Sequence, residues 1–370
     1  MKMKHLKGIA LAAAAVVGLA ACGGSSESSD TTAAAGSDYS NLKVAVVYIG
    51  VPGDAGYTYQ HDQGIAELEA ELGITVTRLE NIPEGAESAA TFDQLAAEGY
   101  NLIFGTSFGY MDPMLEVSAK YPEVCFSHAT GYKTSTNLGT YFGAAEEARY
   151  LSGIAAGAAS PTGKLGYVAA FPIPEVIRGI NAFTLGAQSV NPAATVQVSW
   201  TKTWFGPDTE KQSAESLLAA GADVLAMHQD TTATGLAADA KGAKWVGYNS
   251  DVAEAAPNAW LTAPTWNWAP YYIQTAKAVA GGTCPADEYY GSMADGMVTL
   301  ASFGTSVDAD TQALIAEKAA AIIDGSFAPF QGPVTDQDGK EVVAAGSKPE
   351  LLDLLGMSYF VKGVIGSPKG

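Results

Sequence analysis

The chain has 370 residues, 48% of them hydrophobic and 16% charged, which is enough apolar mass for two ordinary globular domains and too much for a disordered chain. The formal net charge is −19, and a field of that sign repels nucleic acid and anionic headgroups, so a polyanionic partner is not expected. The three cysteines are too far apart in sequence for a zinc knuckle or a CxxC redox site.

Lys2, Lys4 and Lys7 precede the apolar run 8-GIALAAAAVVGLAA-21, which is short for a membrane span and reads as a cleavable signal peptide over 1–21. Its removal would take the net charge to −19 − 3 = −22. The run closes on 19-LAAC-22, and a Leu, two small residues and a Cys at this point look like a bacterial lipobox. By that resemblance Cys22 is acylated and becomes the mature N-terminus; the alternative is ordinary secretion with Cys22 a bystander. Residues 22–40 read as a flexible polar tether, because 23-GGSSESSDTTAAAGSD-38 has no apolar mass to fold around.

From residue 41 short apolar runs alternate with helical patterns. Strands are expected over 43–49, 74–80, 101–107, 123–129, 139–144, 164–171, 195–200, 223–228 and 244–249, then 260–266. Helices are expected over 61–72, 87–98, 112–120, 145–159, 175–190, 209–220, 232–241 and 270–281. Repeated strand–helix–strand order with β-branched strands is the pattern of a parallel α/β sheet, and the strand number calls for two sheets. A break near 160-SPTGK-164 and another after Asp251 place one lobe over 41–160 and 252–292, and the other over 161–251 and 293–370. Cys125 falls on a strand and Cys284 in a loop; a bridge between them and two free thiols are both open.

Ligands of open α/β sheets bind beyond the carboxyl ends of strands. Those places hold unusual chemistry here: 50-GVPGDAGYTYQHDQG-64, 106-TSFGYMDP-113, 128-HATGY-132, 171-FPIPEVIRG-179, 202-KTWFGPD-208, 228-HQD-230, 248-YNSD-251 and 265-TWNWAP-270. Aromatic faces with a few placed polar groups suit a small planar organic ligand, since the faces stack and the polar groups orient.

The phrases GDAGYTYQHDQG, GYNLIFGTSFGYMDP, HATGYKT, FPIPEVIRGINAFTLGAQSVNP, VGYNSD and GPVTDQDGK together resemble the basic membrane protein family of ABC-transporter substrate-binding lipoproteins, which includes purine nucleoside receptors. The resemblance runs from about residue 43 to 362. It implies a type I periplasmic-binding-protein fold, two doubly wound parallel-sheet lobes joined by a hinge, acting as a monomer that closes on a ligand and hands it to an ABC permease. It also implies an extracytoplasmic, membrane-anchored location and no cofactor. By position, Tyr57 and Trp204 match the aromatics that sandwich a purine, Phe108 lines the same site, and Asp251 matches an acid that accepts hydrogen bonds from the ligand. Thr58 stands where nucleoside-binding members have asparagine, and His61, opening the first helix, caps it or touches the ligand. His128 replaces a ribose-directed aspartate, and the neighbourhood of Trp266 and Asn267 replaces a lysine. With both ribose-directed charges missing, a free purine base is expected over its nucleoside.

Other readings compete. Asp251 is as well suited to cap a helix or brace the hinge. The same pocket serves a sensor, or a receptor for a sugar or a riboflavin-like ligand. His61, His128 and His228, with Asp62 and Asp230 beside two of them, suggest a metal-dependent hydrolase, but no HxH or HxxxH spacing supports a metal site. No GxSxG elbow, GxxxxGK[ST] loop or GxGxxG turn follows a strand, so neither nucleophilic catalysis nor nucleotide-phosphate binding is expected.

Overall fold

A computed structural model describes residues 39–370. The expected signal peptide, Cys22 and all but the end of the tether lie outside the described residues. In chain order the first part gives β1 (Val44–Val47), α1 (Tyr57–Leu72), β2 (Val76–Leu79), α2 (Ser88–Ala97), β3 (Leu102–Gly105), α3 (Met111–Ser118), β4 (Cys125–Ala129) and β5 (Leu138–Gly143). Then come α4 (Ala145–Ala159), β6 (Lys164–Ala169), α5 (Pro174–Val190), β7 (Thr195–Trp200), α6 (Pro207–Ala219), β8 (Val224–His228), α7 (Ala233–Ala240) and β9 (Lys244–Val246). The remainder is β10 (Trp260–Thr262), β11 (Pro264–Trp266), α8 (Ala269–Ala280), β12 (Glu288–Gly291), β13 (Val298–Leu300), α9 (Ala309–Ile323), β14 (Val334–Thr335), β15 (Glu341–Val343), α10 (Leu351–Leu355) and β16 (Val364–Ile365).

Two six-stranded sheets result, in the spatial orders β12-β5-β4-β3-β1-β2 and β10-β9-β8-β6-β7-β16, and every pairing in them is parallel. A parallel sheet is covered by helices on both faces, so its strands read as unbroken apolar runs. Residues Val44–Val47, VAVV and buried throughout, are an example. This is the periplasmic-binding-protein architecture, two doubly wound lobes. The chain passes between the sheets after β5, after β10 and after β12, and the antiparallel pair β11–β13 lies along the second and third passages.

Three sequence expectations change. Helix α1 begins at Tyr57 rather than at residue 61, so most of the chemistry in the first loop belongs to a helix N-terminus. The single strand expected over 260–266 is two: β10 extends the second sheet beside β9, and after Ala263 the chain turns into β11, which pairs with β13. Trp260 packs its ring 5.1 Å from Trp245 of β9, which fixes β10 in the second sheet. The segment 252–262 therefore goes with the second sheet, not with the first lobe as the expected boundary had it, while β12 joins the first sheet through β5. The cysteine question, open from the sequence, is closed by the structure: Cys125 and Cys284 form a disulfide that ties the start of β4 to the turn ahead of β12.

Candidate functional site

The carboxyl ends of both sheets face one another across a cavity. From the first lobe it is lined by Ile49 after β1, Tyr57 of α1, Ser107 and Phe108 after β3, and Thr130 after β4. The second lobe supplies Glu175 in the first turn of α5, Trp204 after β7, His228 and Asp230 at the end of β8, and Tyr248 and Asn249 after β9. The mixture of aromatic wall with few polar groups is that of a small-molecule site.

Each wall is held from behind. Asp54 organises the start of α1: Oδ1 accepts from the N–H groups of Gly56 (2.8 Å) and Tyr59 (2.9 Å), and Oδ2 from Thr58 N–H (3.0 Å). Tyr57 then stands edge-on to His61, ring centroids 4.3 Å apart, and His61 stacks on Trp268 at 4.4 Å. The Tyr57 hydroxyl is buried with no protein partner. Burial first, and the neighbouring Glu175 next, hold it well above the usual phenol range, so it stays an O–H donor. On the other side Trp204 packs against Phe171 at 5.1 Å and lies 6.3 Å from His228.

The lobes touch around the rim. Trp204 Nε1 donates across the cleft to Glu84 Oε2 at 3.2 Å, and Oε1 of the same carboxylate accepts from Ser107 Oγ and Gly109 N–H, both at 2.7 Å. The Ser250 hydroxyl donates to the Ala55 carbonyl. Gly56 is pressed so near the facing backbone that a Cβ would lie 2.9 Å from Asp230 Cα and carbonyl oxygen, so any larger residue would hold the cleft open.

Backbone conformation at the site is unusual for the residues present. Thr130 (φ 66°), Asn249 (φ 72°) and Ala55 (φ 60°) all occupy the left-handed region, Thr130 with a β-branched side chain. Such conformations cost on the order of 1–3 kcal/mol and persist where the surroundings enforce them. Asp230 is buried, accepts from Asn249 Nδ2 at 3.2 Å, and is held well above the usual carboxylate range by burial, then by Asp54 and Glu210. Glu175 Oε1 lies 3.1 Å from His228 Nε2.

Of the residues expected from sequence, Tyr57, Phe108 and Trp204 line this cavity together. Thr58 is buried one step behind, its N–H on Asp54. His61 is fully buried behind Tyr57, its Nδ1 2.5 Å from the Tyr272 hydroxyl. His128 is buried on β4 and donates from Nε2 to the Ser107 carbonyl at 2.7 Å; it supports the wall rather than forming it. Asp251 is not among the residues that line the cavity: Oδ1 accepts from Ala253 N–H and Oδ2 from the N–H and hydroxyl of Ser302, which ties it to the chain beyond β13. Trp266 is buried and donates from Nε1 to Asn249 Oδ1 at 2.9 Å, holding the strained Asn249 in place. Asn267 is exposed. The acids and amide of the cavity, Glu175, Asp230 and Asn249, sit in phrases at strand ends; the sequence reading names Asp230 only beside His228 for a metal site and none of the three as a ligand contact, although their place beyond β6, β8 and β9 is the available signal.

A family model described as ABC transporter substrate-binding protein PnrA-like matches residues 41–331. A purine-binding protein of Brucella abortus (strain 2308) is 45% identical over 325 residues, 87% of this chain and 93% of the relative. The chain belongs to the PnrA-like family of ABC transporter substrate-binding proteins. A Haloferax volcanii protein named for glucose binding in an ABC transporter is 36% identical over 330 residues, 89% of this chain and 82% of its own. A solved ABC transporter solute-binding protein from Aeropyrum pernix K1 superposes with a TM-score of 0.70 at 19% identity, over 80% of this chain and 93% of that one, a likeness of fold alone. In this PnrA-like chain the histidines weighed for a hydrolase lie in separate networks, against Tyr272, Ser107 and Glu175. Among the described residues no group of three or more His, Cys, Asp or Glu is placed to hold a metal ion.

Proposed function

We propose that the chain captures a free purine base between its lobes and delivers it to an ABC permease, acting as a binding protein rather than an enzyme. The observation that carries this reading is the lining of the cavity, with Tyr57 and Phe108 from one lobe, Trp204 and Tyr248 from the other, and the carboxyl groups of Asp230 and Glu175 among them. A purine offers two stacking faces and an edge of N–H donors and ring-nitrogen acceptors. The carboxyl oxygens and the Tyr57 O–H match that edge. A relative named for purine binding at 45% identity supports the same class.

A nucleoside or a sugar is the second reading. A neighbouring pocket shares Phe108, Thr130 and Glu175 with the cavity, which puts it beside any substituent on the base, and one relative is named for glucose. A thermal-shift panel decides: adenine, hypoxanthine and guanine are expected to raise the melting temperature more than adenosine, guanosine, glucose or riboflavin at equal concentration. A clear preference for nucleosides moves the reading to the larger ligand, and stabilisation by glucose alone defeats the purine class.

The disulfide suits an oxidising compartment. It supports placing the protein on the extracytoplasmic face, and the lipobox-like 19-LAAC-22 motif is the ground for proposing that acylated Cys22 anchors a monomer there. The Cys22→Ser variant should leave the membrane fraction; its retention there would defeat the anchor.

A further inference from the structure

Behind the second-lobe wall, three buried polar groups converge on one small space beside Gly179, in the second turn of α5. A Cβ built on Gly179 would lie 3.5 Å from Arg149 Nε, 3.7 Å from His228 Nδ1 and 3.7 Å from the Tyr167 hydroxyl. None of these three atoms has a hydrogen-bond partner in the chain, and Arg149 and Tyr167 are fully buried. Arg149 comes from α4; its Nη1 donates to the Met227 carbonyl at 2.9 Å, and its guanidinium lies 3.6 Å over the ring of the cavity residue Tyr248. His228 turns its other nitrogen to Glu175 at 3.1 Å.

The chemistry of these atoms selects what fits between them. Arginine can only donate. Burial pushes the His228 imidazole down to about 4, so the ring is neutral near pH 7. Its Nε2 faces the Glu175 carboxylate, an acceptor, and therefore carries the proton, which leaves Nδ1 an acceptor. The occupant must accept from Arg149 and donate to His228. An anion does only the first and a metal cation neither, whereas a buried water commonly makes about three such bonds.

We propose that one buried water molecule sits between Gly179, Arg149, His228 and Tyr167 and completes a relay, Arg149 to water to His228 to Glu175, that fixes the Glu175 carboxylate where it lines the cavity. Arg149 and Gly179 are then positioning residues for ligand recognition, neither lining the cavity.

Substitution at Gly179 tests this. The contacts of an added methyl, 3.5–3.7 Å, are ordinary packing distances, so alanine fits without a clash but takes the place of the water. Alanine is otherwise the better residue in a helix interior and, with no water site, should raise the melting temperature by about 2 °C. The expected result is the reverse: Gly179→Ala melts below wild type, and Gly179→Ser recovers, because its hydroxyl can accept from Arg149 and donate to His228. The dissociation constant for adenine should rise about tenfold in Gly179→Ala and return towards wild type in Gly179→Ser. Alanine melting at or above wild type, or alanine and serine equally impaired, overturns the proposal. So does a melting temperature that rises when gluconate is exchanged for chloride, since that identifies an anion. The affinity arm rests on the purine reading; the melting arm does not, so failure of wild type to bind adenine leaves the order of melting temperatures as a separate test.

Discussion

Trp204 does two things with one side chain: its face lines the cavity, and its indole N–H reaches Glu84 on the opposite lobe. The two contributions separate by substitution. Trp204→Phe keeps a ring and loses the donor, and should weaken adenine binding by the net worth of one hydrogen bond to a charged group, about 1.5–3 kcal/mol at full strength and less at this partly exposed rim. Trp204→Ala loses the face as well, adding a loss on the order of 1–3 kcal/mol. Calorimetry reads both: phenylalanine equal to tryptophan leaves the bond to Glu84 idle, and alanine equal to tryptophan removes the side chain from recognition altogether. At this scale the sequence was legible for Tyr57, Phe108 and Trp204, because large aromatics at strand ends are conspicuous. It was not legible for Asp230 against Asp251. Both acids follow a strand of the second sheet, but Asn249 takes a left-handed φ and the chain beyond it delivers Asp251 to Ser302, a turn that no residue pattern announces.

Among the elements, the inner strands of both sheets could be read because a strand buried on both faces has to be apolar throughout, whereas the edge strands β12 and β16, short and part-exposed, went unexpected. The start of α1 could not, since its N-cap is Gly56 with no side-chain cap and the work is done by Asp54, two residues upstream. The division of 260–266 turns on Pro264, which opens β11 where a proline is tolerated as a first strand residue. Helix α4, on the first passage between the sheets, carries a further consequence in its first turn. Glu147 accepts from Met293 N–H at 2.7 Å, yet burial, with Glu146 and Asp295 adding to it, pushes its carboxyl up to about 7 from an ordinary value of 4.5. A raised carboxyl favours folding while protonated, so its contribution is complete below about pH 4.5 and is lost as pH rises through about 7. Glu147→Gln, which keeps an acceptor for Met293, should flatten the fall in urea midpoint across that window. A variant as steep as wild type would place the titration elsewhere.

At the scale of the whole molecule, the disulfide closes a stretch of 159 residues that leaves the first lobe, builds most of the second and returns. A bridge of that span restricts the unfolded chain strongly, and removing a native disulfide typically costs about 2–5 kcal/mol. Its position separates stability from function. Cys125 begins β4 whereas the cavity residue Thr130 follows the end of that strand, so the two lie roughly 16 Å apart at about 3.3 Å per residue. The double variant Cys125→Ser, Cys284→Ser should therefore melt well below the oxidised protein, and wild type under reducing conditions should match it. Adenine affinity, measured below the lower of the two melting temperatures, should stay within about twofold, because the strand that carries Thr130 is still held by β3 and β5 on either side. An affinity lost by tenfold or more with the melting temperature unchanged would reverse the assignment and make the bridge part of the closing mechanism.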